Sequence, residues 1–516
     1  MSKNNCEVVI AGPGAGKTYN MVQKVLAESQ NFQSNRFCAV ITYTNAATDE
    51  IRTRLEKHIK IPNNIFIGTT HSFLIRFFIT PFSHLLGITP HDLIYIDSAK
   101  LNYKPANKFA KKFGEIKIAE ELTSKGIVTY DKVLEKSYQI ISKEGLIAKI
   151  ISNRLQYVFI DEYQDTRLYQ HLIVKKLFAQ GYTRISCVGD PLQSIFKFTY
   201  FMSQLKDEPQ PTTFEETPLL NLRAENEHST SYIQENYRST PTIINFVNNF
   251  NKIFQQIPSP KNPDLNIPIY FINETSKQRI VDTFFELKKK HNIEEENDIR
   301  IKNLFLSREW SIFEGIAEDN NINRLSKNNR AKTQLQEISK CVLGLIGMKK
   351  SEVLKITDEI SYRKFCFKII RTLRLKNFCD DQHRENTVRK MFETDFNCTL
   401  DKSNKGKHML NDSIEQVTTI RSFTDSSKYY STIHSAKGLE ATSVLVCAET
   451  SNQLKKWLED DEEKLRTLDD DYRLGYVAFS RARKFLCIAC LSTVSKDLES
   501  KIREFKINYS DEMLKS

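Results

Sequence analysis

Ala11-Gly-Pro-Gly-Ala-Gly-Lys-Thr18 follows the apolar run Val8-Val-Ile-Ala11 and leads into a helical pattern. A glycine-rich turn between a strand and a helix is the setting in which a chain cradles phosphate. The glycines let backbone N–H groups approach phosphate oxygens with no Cβ in the way, and the helix N-terminus adds its positive dipole. Ala11, Gly12, Pro13, Gly14, Ala15, Gly16, Lys17 and Thr18 are therefore the candidate nucleotide-binding residues. Lys17 is expected to reach the β- and γ-phosphates of ATP, and Thr18 to hold Mg2+ through its hydroxyl. Ala11 stands where the strict pattern has glycine, a small-for-small exchange.

A phosphate loop needs an acidic partner at the end of a second buried strand. Tyr157-Val-Phe-Ile-Asp-Glu-Tyr-Gln-Asp-Thr166 supplies one. Asp161 is the second expected Mg2+ ligand. Glu162 is the expected base for an attacking water, which must lie near the metal to be acidic enough.

The rest of the chain repeats this rhythm. Phe37–Thr42, 64–68, Arg184–Val188, Ile267–Ile272, 299–306, 443–447 and 485–491 read as buried parallel strands between helical patterns. The fold class is thus α/β, doubly wound layers with parallel sheets in two clusters, each carrying a mainly helical insertion. The expected division is 1–78 with 149–245 for the first lobe and 79–148 for its insertion. It is 246–321 with 426–516 for the second lobe and 322–425 for its insertion. The acidic run Glu459–Asp471 reads as a solvated helix face or loop.

At 516 residues, with 40% hydrophobic and 27% charged side chains, the chain can bury sizeable cores. A net charge of +11 suits a polyanionic partner. The ten cysteines form no framework. Cys487 and Cys490 lie in an apolar run that reads as a strand rather than as a zinc site, and Cys379, His383 and Cys398 fit no ligand spacing. A reduced, cytoplasmic protein is expected, with neither a signal peptide nor a membrane span.

Further motifs follow in order: Thr42-Tyr-Thr-Asn-Ala-Ala47, Thr69-Thr-His-Ser-Phe73, Val188-Gly-Asp-Pro-Leu-Gln-Ser-Ile-Phe196, Asn236-Tyr-Arg-Ser-Thr240, Thr432-Ile-His-Ser-Ala-Lys-Gly-Leu-Glu440 and Arg473-Leu-Gly-Tyr-Val-Ala-Phe-Ser-Arg-Ala482. With the phosphate loop and the Asp-Glu-Tyr-Gln-Asp box, this series resembles a superfamily 1 helicase of the UvrD/Rep type. The resemblance implies two RecA-like P-loop lobes with nucleotide between them, and an ATP hydrolase that travels 3′-to-5′ on single-stranded DNA. It implies that Gln193 senses the γ-phosphate, that Arg238 and Arg481 act as arginine fingers, that Tyr237 stacks on adenine and that Glu440 bonds the ribose. Guanidinium groups closing from another domain are what γ-phosphoryl transfer asks for. Tyr43, Thr44, His71, Phe73, Phe196, Phe198 and His434 become the candidate nucleic-acid contacts, since a motor on a single strand needs rings that grip bases.

Some positions depart from the family pattern. The ten residues before Ala11 contain no Gln to read an adenine edge, which leaves GTP admissible. Thr199 stands where Arg is usual, the segment Phe201–Tyr232 is long, and the insertion 322–425 is short. Compact chains of this type accompany OLD-family nucleases in Gabija-type antiphage defence. A second expectation is therefore a nucleotide-switched, DNA-sensing subunit that regulates a partner nuclease with little unwinding.

Overall fold

A computed structural model describes residues 5–87, 94–96, 117–123, 126–143, 145–195, 208–263, 265–295, 301–325, 339, 342–358, 361–362, 364–366, 368–369, 372, 381–400 and 428–514. The chain divides into two compact units, one of residues 1–323 with 428–516 and one of 324–427.

The larger unit holds two parallel sheets. Strands β1 (Cys6–Ala11), β2 (Phe37–Thr42), β3 (Ile65–Thr69), β6 (Leu155–Ile160), β7 (Arg184–Gly189) and β8 (Thr230–Ile233) form the first, in the order β3-β2-β6-β7-β1-β8. Between them, β4 (Ile94–Ile96) and β5 (Ile127–Thr129) pair in parallel on their own. The region 79–148, which lacks strand signals in the sequence, thus contains two short strands beside helix Tyr130–Lys143. The inner strands are continuous β-branched and apolar runs because both faces are covered. Val8 and Ile10 of β1 point into a core with Ala39, Ile41, Phe77 and Val158. On the opposite face Cys38, Val40 and Phe159 pack against Met21, Val22 and Val25 of helix α1 (Lys17–Ser29) and Ile51 and Leu55 of helix α2 (Asn45–Glu56).

A short parallel pair, β9 (Glu235–Asn236) and β10 (Ile257–Pro258), links the two halves. The second sheet comprises β11 (Tyr270–Ile272), β12 (Asn303–Ser307), β13 (Asn323–Arg324), β14 (Lys428–Thr432), β15 (Ala441–Ala448), β16 (Ala482–Cys490) and β17 (Asn508–Tyr509), ordered β13-β14-β12-β15-β16-β11-β17. At its centre all eight residues of β15 are buried. Cys487 and Cys490 lie buried in β16, and the eight described cysteines are free thiols. Of the other possible ligands, Cys379 and the side chain of His383 lie outside the described residues. The smaller unit has its own core, built by Val342, Leu345, Phe365, Ile369, Val388 and Phe392.

Strands β8 and β14 carry polar sequences, Thr-Ser-Tyr-Ile and Lys-Tyr-Tyr-Ser-Thr, and escape a reading based on apolar runs. The acidic run is also less solvated than expected. Glu459 is buried and accepts from Lys464 at 2.8 Å and Lys501 at 3.2 Å, while Asp471 pairs with Arg308 at 2.6 Å. Among the described residues no helix is long and apolar enough to cross a membrane.

Helix Leu474–Phe479 is wholly buried, and its glycine faces a neighbouring backbone. A Cβ on Gly475 would stand 2.0 Å from the Trp457 carbonyl oxygen. Gly475→Ala is expected to lower stability by about 3 kcal/mol, because main chain cannot swing aside as a side chain would. A melting temperature equal to that of the parent protein would contradict this packing.

Candidate nucleotide site and nucleic-acid track

The phosphate loop leaves β1 at Ala11 and turns through Gly14 (φ 73°) and Gly16 (φ 68°), both in the left-handed region. Crowding adds a second demand for glycine. A Cβ on Gly14 would lie 2.6 Å from Asn236 Oδ1, and one on Gly12 would lie 2.6 Å from the carboxamide carbon of Gln256. Two side-chain amides converge on the Pro13 carbonyl, from Asn236 at 2.9 Å and Gln256 at 3.0 Å. The Tyr237 N–H donates to the Gly14 carbonyl at 2.9 Å. Lys17 rests its ammonium on the Ala11 and Gly12 carbonyls, each at 3.4 Å. The Thr18 hydroxyl donates to Asp161 Oδ2 at 3.4 Å, so both expected Mg2+ ligands face one point. Such a hydroxyl–carboxylate set is the oxygen chemistry that Mg2+ prefers.

Asp161 and Glu162 occupy the end of β6, with Glu162 in a left-handed conformation (φ 51°) rare for a residue with a side chain. The strain is held in place by neighbours, for Gln164 donates to the Glu162 carboxylate and the Glu162 N–H to Asp161 Oδ1. Burial, and then the Glu162 charge, push the Asp161 carboxyl up to about 7. Burial also works against the Glu162 charge, but the ammonium groups of Lys17 and Lys437 outweigh it and hold that carboxyl below its ordinary value. Two adjacent acids thus titrate apart, and the one kept ionised is the one expected to take a proton from water.

The loop after β7 is where the two sheets meet. Gln193 is buried, and its amide donates to Asp190 at 2.8 Å. Its Oε1 accepts from Arg481 at 3.1 Å, and its main-chain carbonyl accepts from Lys437 at 2.6 Å. Lys437 also grips both oxygens of Asp165, at 2.6 and 2.7 Å. Tyr476 donates to Asp190 at 3.0 Å, and Arg473 to the Ser194 carbonyl at 3.1 Å. Arg481 thus reaches the loop after β7, while Arg238 lies beside the phosphate loop, its Cβ 2.7 Å from where a Cβ on Gly14 would stand. Glu440 is the counter-ion of two arginines, accepting from Arg238 at 2.5 Å and Arg483 at 3.2 Å.

Lys437, Arg473, Tyr476, Asp165 and Asp190 lie in motifs that the sequence displays, yet no role followed from the sequence for them. For Asp190 the signal is polarity at the end of an apolar strand; Lys437, Asp165 and Arg473 sit among other polar residues and carry no such mark.

The strand track is mixed. Tyr43, just past β2, is 49% exposed, and Thr44 caps α2 by accepting the Ala47 N–H at 3.2 Å. His71 is partly buried, its ring 5.2 Å from that of Tyr130. Burial lowers the pKa of His71, and likewise of His434, which favours the neutral ring in both. Tyr130, 41% exposed at the start of its helix, joins this surface although sequence reasoning missed it. Its signal was the same as that of Tyr43, an aromatic directly after a short strand. Phe73 requires correction. It is 3% exposed and packs on Phe66, Phe77 and Phe78, because helix Thr70–Leu74 turns that face into the core. Phe196 and Phe198 lie outside the described residues.

Lys437 and Asp165 are 8% and 2% exposed, so removing one partner strands a buried charge. Lys437→Met is expected to cost about 3 kcal/mol or more. Adding Asp165→Asn should recover part of that loss in a thermal melt, and additive losses would argue against the pair. Phe73→Ala should cost about 3–5 kcal/mol as a core truncation. Tyr43→Ala should leave stability within about 0.5 kcal/mol while weakening single-strand binding roughly tenfold. The reverse pattern in melts and binding titrations would reassign both residues.

Residues 2–101 and 88–200 match the model of the UvrD/REP helicase N-terminal domain, and residues 320–493 that of the UvrD-like helicase C-terminal domain. Among curated relatives, the Gabija protein GajB of Bacillus cereus (strain VD045) is 27% identical over 276 residues, covering 50% of this chain and 49% of that protein. The ATP-dependent DNA helicase PcrA of Staphylococcus aureus (strain Mu50) is 24% identical, covering 47% of this chain and 37% of that protein. PcrA of Bacillus subtilis (strain 168) is 25% identical, covering 47% and 36%. The alignments thus span about half or less of the curated relatives. Together the two models match most of the chain, 2–200 and 320–493: it belongs to the UvrD-like helicases.

Proposed function

We propose that this chain is an ATP-hydrolysing motor that moves 3′-to-5′ on single-stranded DNA. Lys17, Thr18 and Asp161 bind Mg2+·ATP, Glu162 activates water, and Gln193, Arg238 and Arg481 stabilise the charge spreading over the γ-phosphate. Tyr237 stacks on the base and Glu440 turns from its arginines to the ribose. Lobe 1 comprises 1–78 and 149–245 and lobe 2 comprises 246–321 and 426–516, with 79–148 and 322–425 as insertions. The observation that carries this reading is the Arg481–Gln193 contact at 3.1 Å, which brings a guanidinium of the second sheet to the loop that follows β7. Tyr43, Thr44, His71, His434 and Tyr130 grip the strand, so that closure on ATP and opening after hydrolysis move one lobe along it.

The match to a Gabija protein favours a second reading, in which nucleotide turnover switches a DNA-sensing subunit that regulates a partner nuclease. Strand displacement separates the two. A motor displaces an annealed strand with ATP, whereas a switch hydrolyses ATP without displacement or travel.

Lys17→Ala is expected to abolish DNA-stimulated hydrolysis while the melting temperature stays near that of the parent. Full turnover in that variant would refute the site assignment.

A further inference from the structure

Gly12 takes no left-handed φ, unlike Gly14 and Gly16, yet a side chain has no room there. A Cβ on it would fall 2.6 Å from the Gln256 carboxamide carbon and 2.7 Å from Nε2, so that carboxamide lies directly against the phosphate loop. Gln256 stands just before β10 and is 4% exposed. Its main chain is pinned by the Asn248 side chain, at the end of helix Pro241–Asn248. That carboxamide accepts the Gln256 N–H at 2.9 Å and donates to the Gln256 carbonyl at 2.9 Å. A buried amide held this firmly has little freedom to point anywhere else.

A trans peptide is planar, so its carbonyl and its N–H point in opposite directions. The Pro13 carbonyl is taken by two donors, Gln256 Nε2 at 3.0 Å and Asn236 Nδ2 at 2.9 Å. Together they fix the plane of the Pro13–Gly14 peptide and turn the Gly14 N–H away from both carboxamides. Asn236 also donates to Gln256 Oε1 at 3.3 Å, which keeps the glutamine nitrogen toward the loop. The Asn236 oxygen accepts the Arg238 N–H at 2.9 Å and the Ser239 N–H at 3.2 Å. Backbone N–H groups aimed in advance bind an anion without reorganising when it arrives.

We infer that Gln256 is a positioning residue for the triphosphate. With Asn236 it holds the Pro13–Gly14 peptide in the orientation that presents the Gly14 N–H to a phosphate oxygen. The inference rests on the phosphate-site reading of Lys17 and Thr18. Through Asn236 the same pair ties that peptide to the main chain of Arg238, so the cradle and the arginine are set by one hydrogen-bonded unit.

Inorganic tripolyphosphate, which has neither base nor sugar, isolates the effect. Its dissociation constant with Mg2+ present, from calorimetry, is measured beside KM, kcat and melting temperature for the parent, Gln256→Met, Gln256→Glu, Gln255→Ala and Lys17→Ala. Methionine keeps the length of the side chain without a donor, and glutamate keeps an acceptor for Asn236 while losing the donor to Pro13. Both should weaken tripolyphosphate and raise KM for ATP roughly tenfold, the scale of one hydrogen bond to a charged group. Retention of kcat within about twofold would mark binding shared by ground and transition states. Gln255 donates instead to the Asn248 and Asn251 carbonyls, at 3.3 and 2.7 Å. Gln255→Ala should therefore leave both constants at the parent value, and a matching loss there would overturn the role of Gln256. Parent-like constants in folded Gln256→Met overturn it as well, whatever the melting temperature does. That variant decides alone if the charge of Gln256→Glu prevents folding. Lys17→Ala should abolish tripolyphosphate binding; if it does not, the phosphate-site reading fails instead.

Discussion

Four side chains of the second sheet's half close on three residues of the first. Lys437, Arg481, Tyr476 and Arg473 bond to the Gln193 carbonyl, the Gln193 amide oxygen, Asp190 and the Ser194 carbonyl respectively. Three of the four are held by groups that are themselves buried, in a place where water cannot substitute for a lost partner. Neither half can therefore shift by a small amount without stranding a charge. Seams of this kind are bistable rather than continuously deformable, the property a nucleotide-driven machine requires. Gln193 matters because it serves both sides, with its amide N–H on Asp190 and its oxygen on Arg481.

The same seam sets the electrostatics of the acidic loop. Asp165 is pushed up to about 6, chiefly by burial, and the Lys437 ammonium opposes that rise. Lys437 also helps hold Glu162 ionised. Lys437, a cation of the second half, thus adds to Lys17 in keeping the expected base charged. If the lobes part, Glu162 loses that cation together with the guanidinium of Arg481. Under the proposed function, hydrolysis is then tied to closure through the arginine fingers.

How far the sequence could be read follows from what kind of constraint each residue obeys. The phosphate loop and the acidic pair are local: glycines at set offsets, a lysine, and carboxylates ending an apolar strand. Inner strands such as β1 and β15 are legible for the same reason, since burial on both faces demands unbroken apolar runs. Strands β8 and β14 are polar, and only pairing with a neighbour defines them. Phe73 fails because an aromatic beside a strand end can face either core or groove, and helix rotation decides which. Lys437 sits in plain view, but its partners are distant in sequence, at Asp165 and Gln193.

The path from nucleic acid to nucleotide is short on both sides of the seam. Tyr43 follows β2, and in that strand the Ile41 carbonyl accepts the Asp161 N–H at 2.9 Å. His434 shares a turn with Lys437, whose N–H points to the His434 carbonyl at 3.4 Å. Under the proposed function, a base gripped by Tyr43 pulls on the strand beside the acidic pair, and one gripped near His434 pulls on the ammonium that pairs with Asp165. Both rings stand within three residues of a group that touches the catalytic loop or its neighbouring strand. Coupling between strand and nucleotide therefore needs no long relay of packed side chains. It needs only that the two turns move as rigid pieces with the strands that carry them, which the parallel pairing of β2 with β6 and of β14 with β12 ensures.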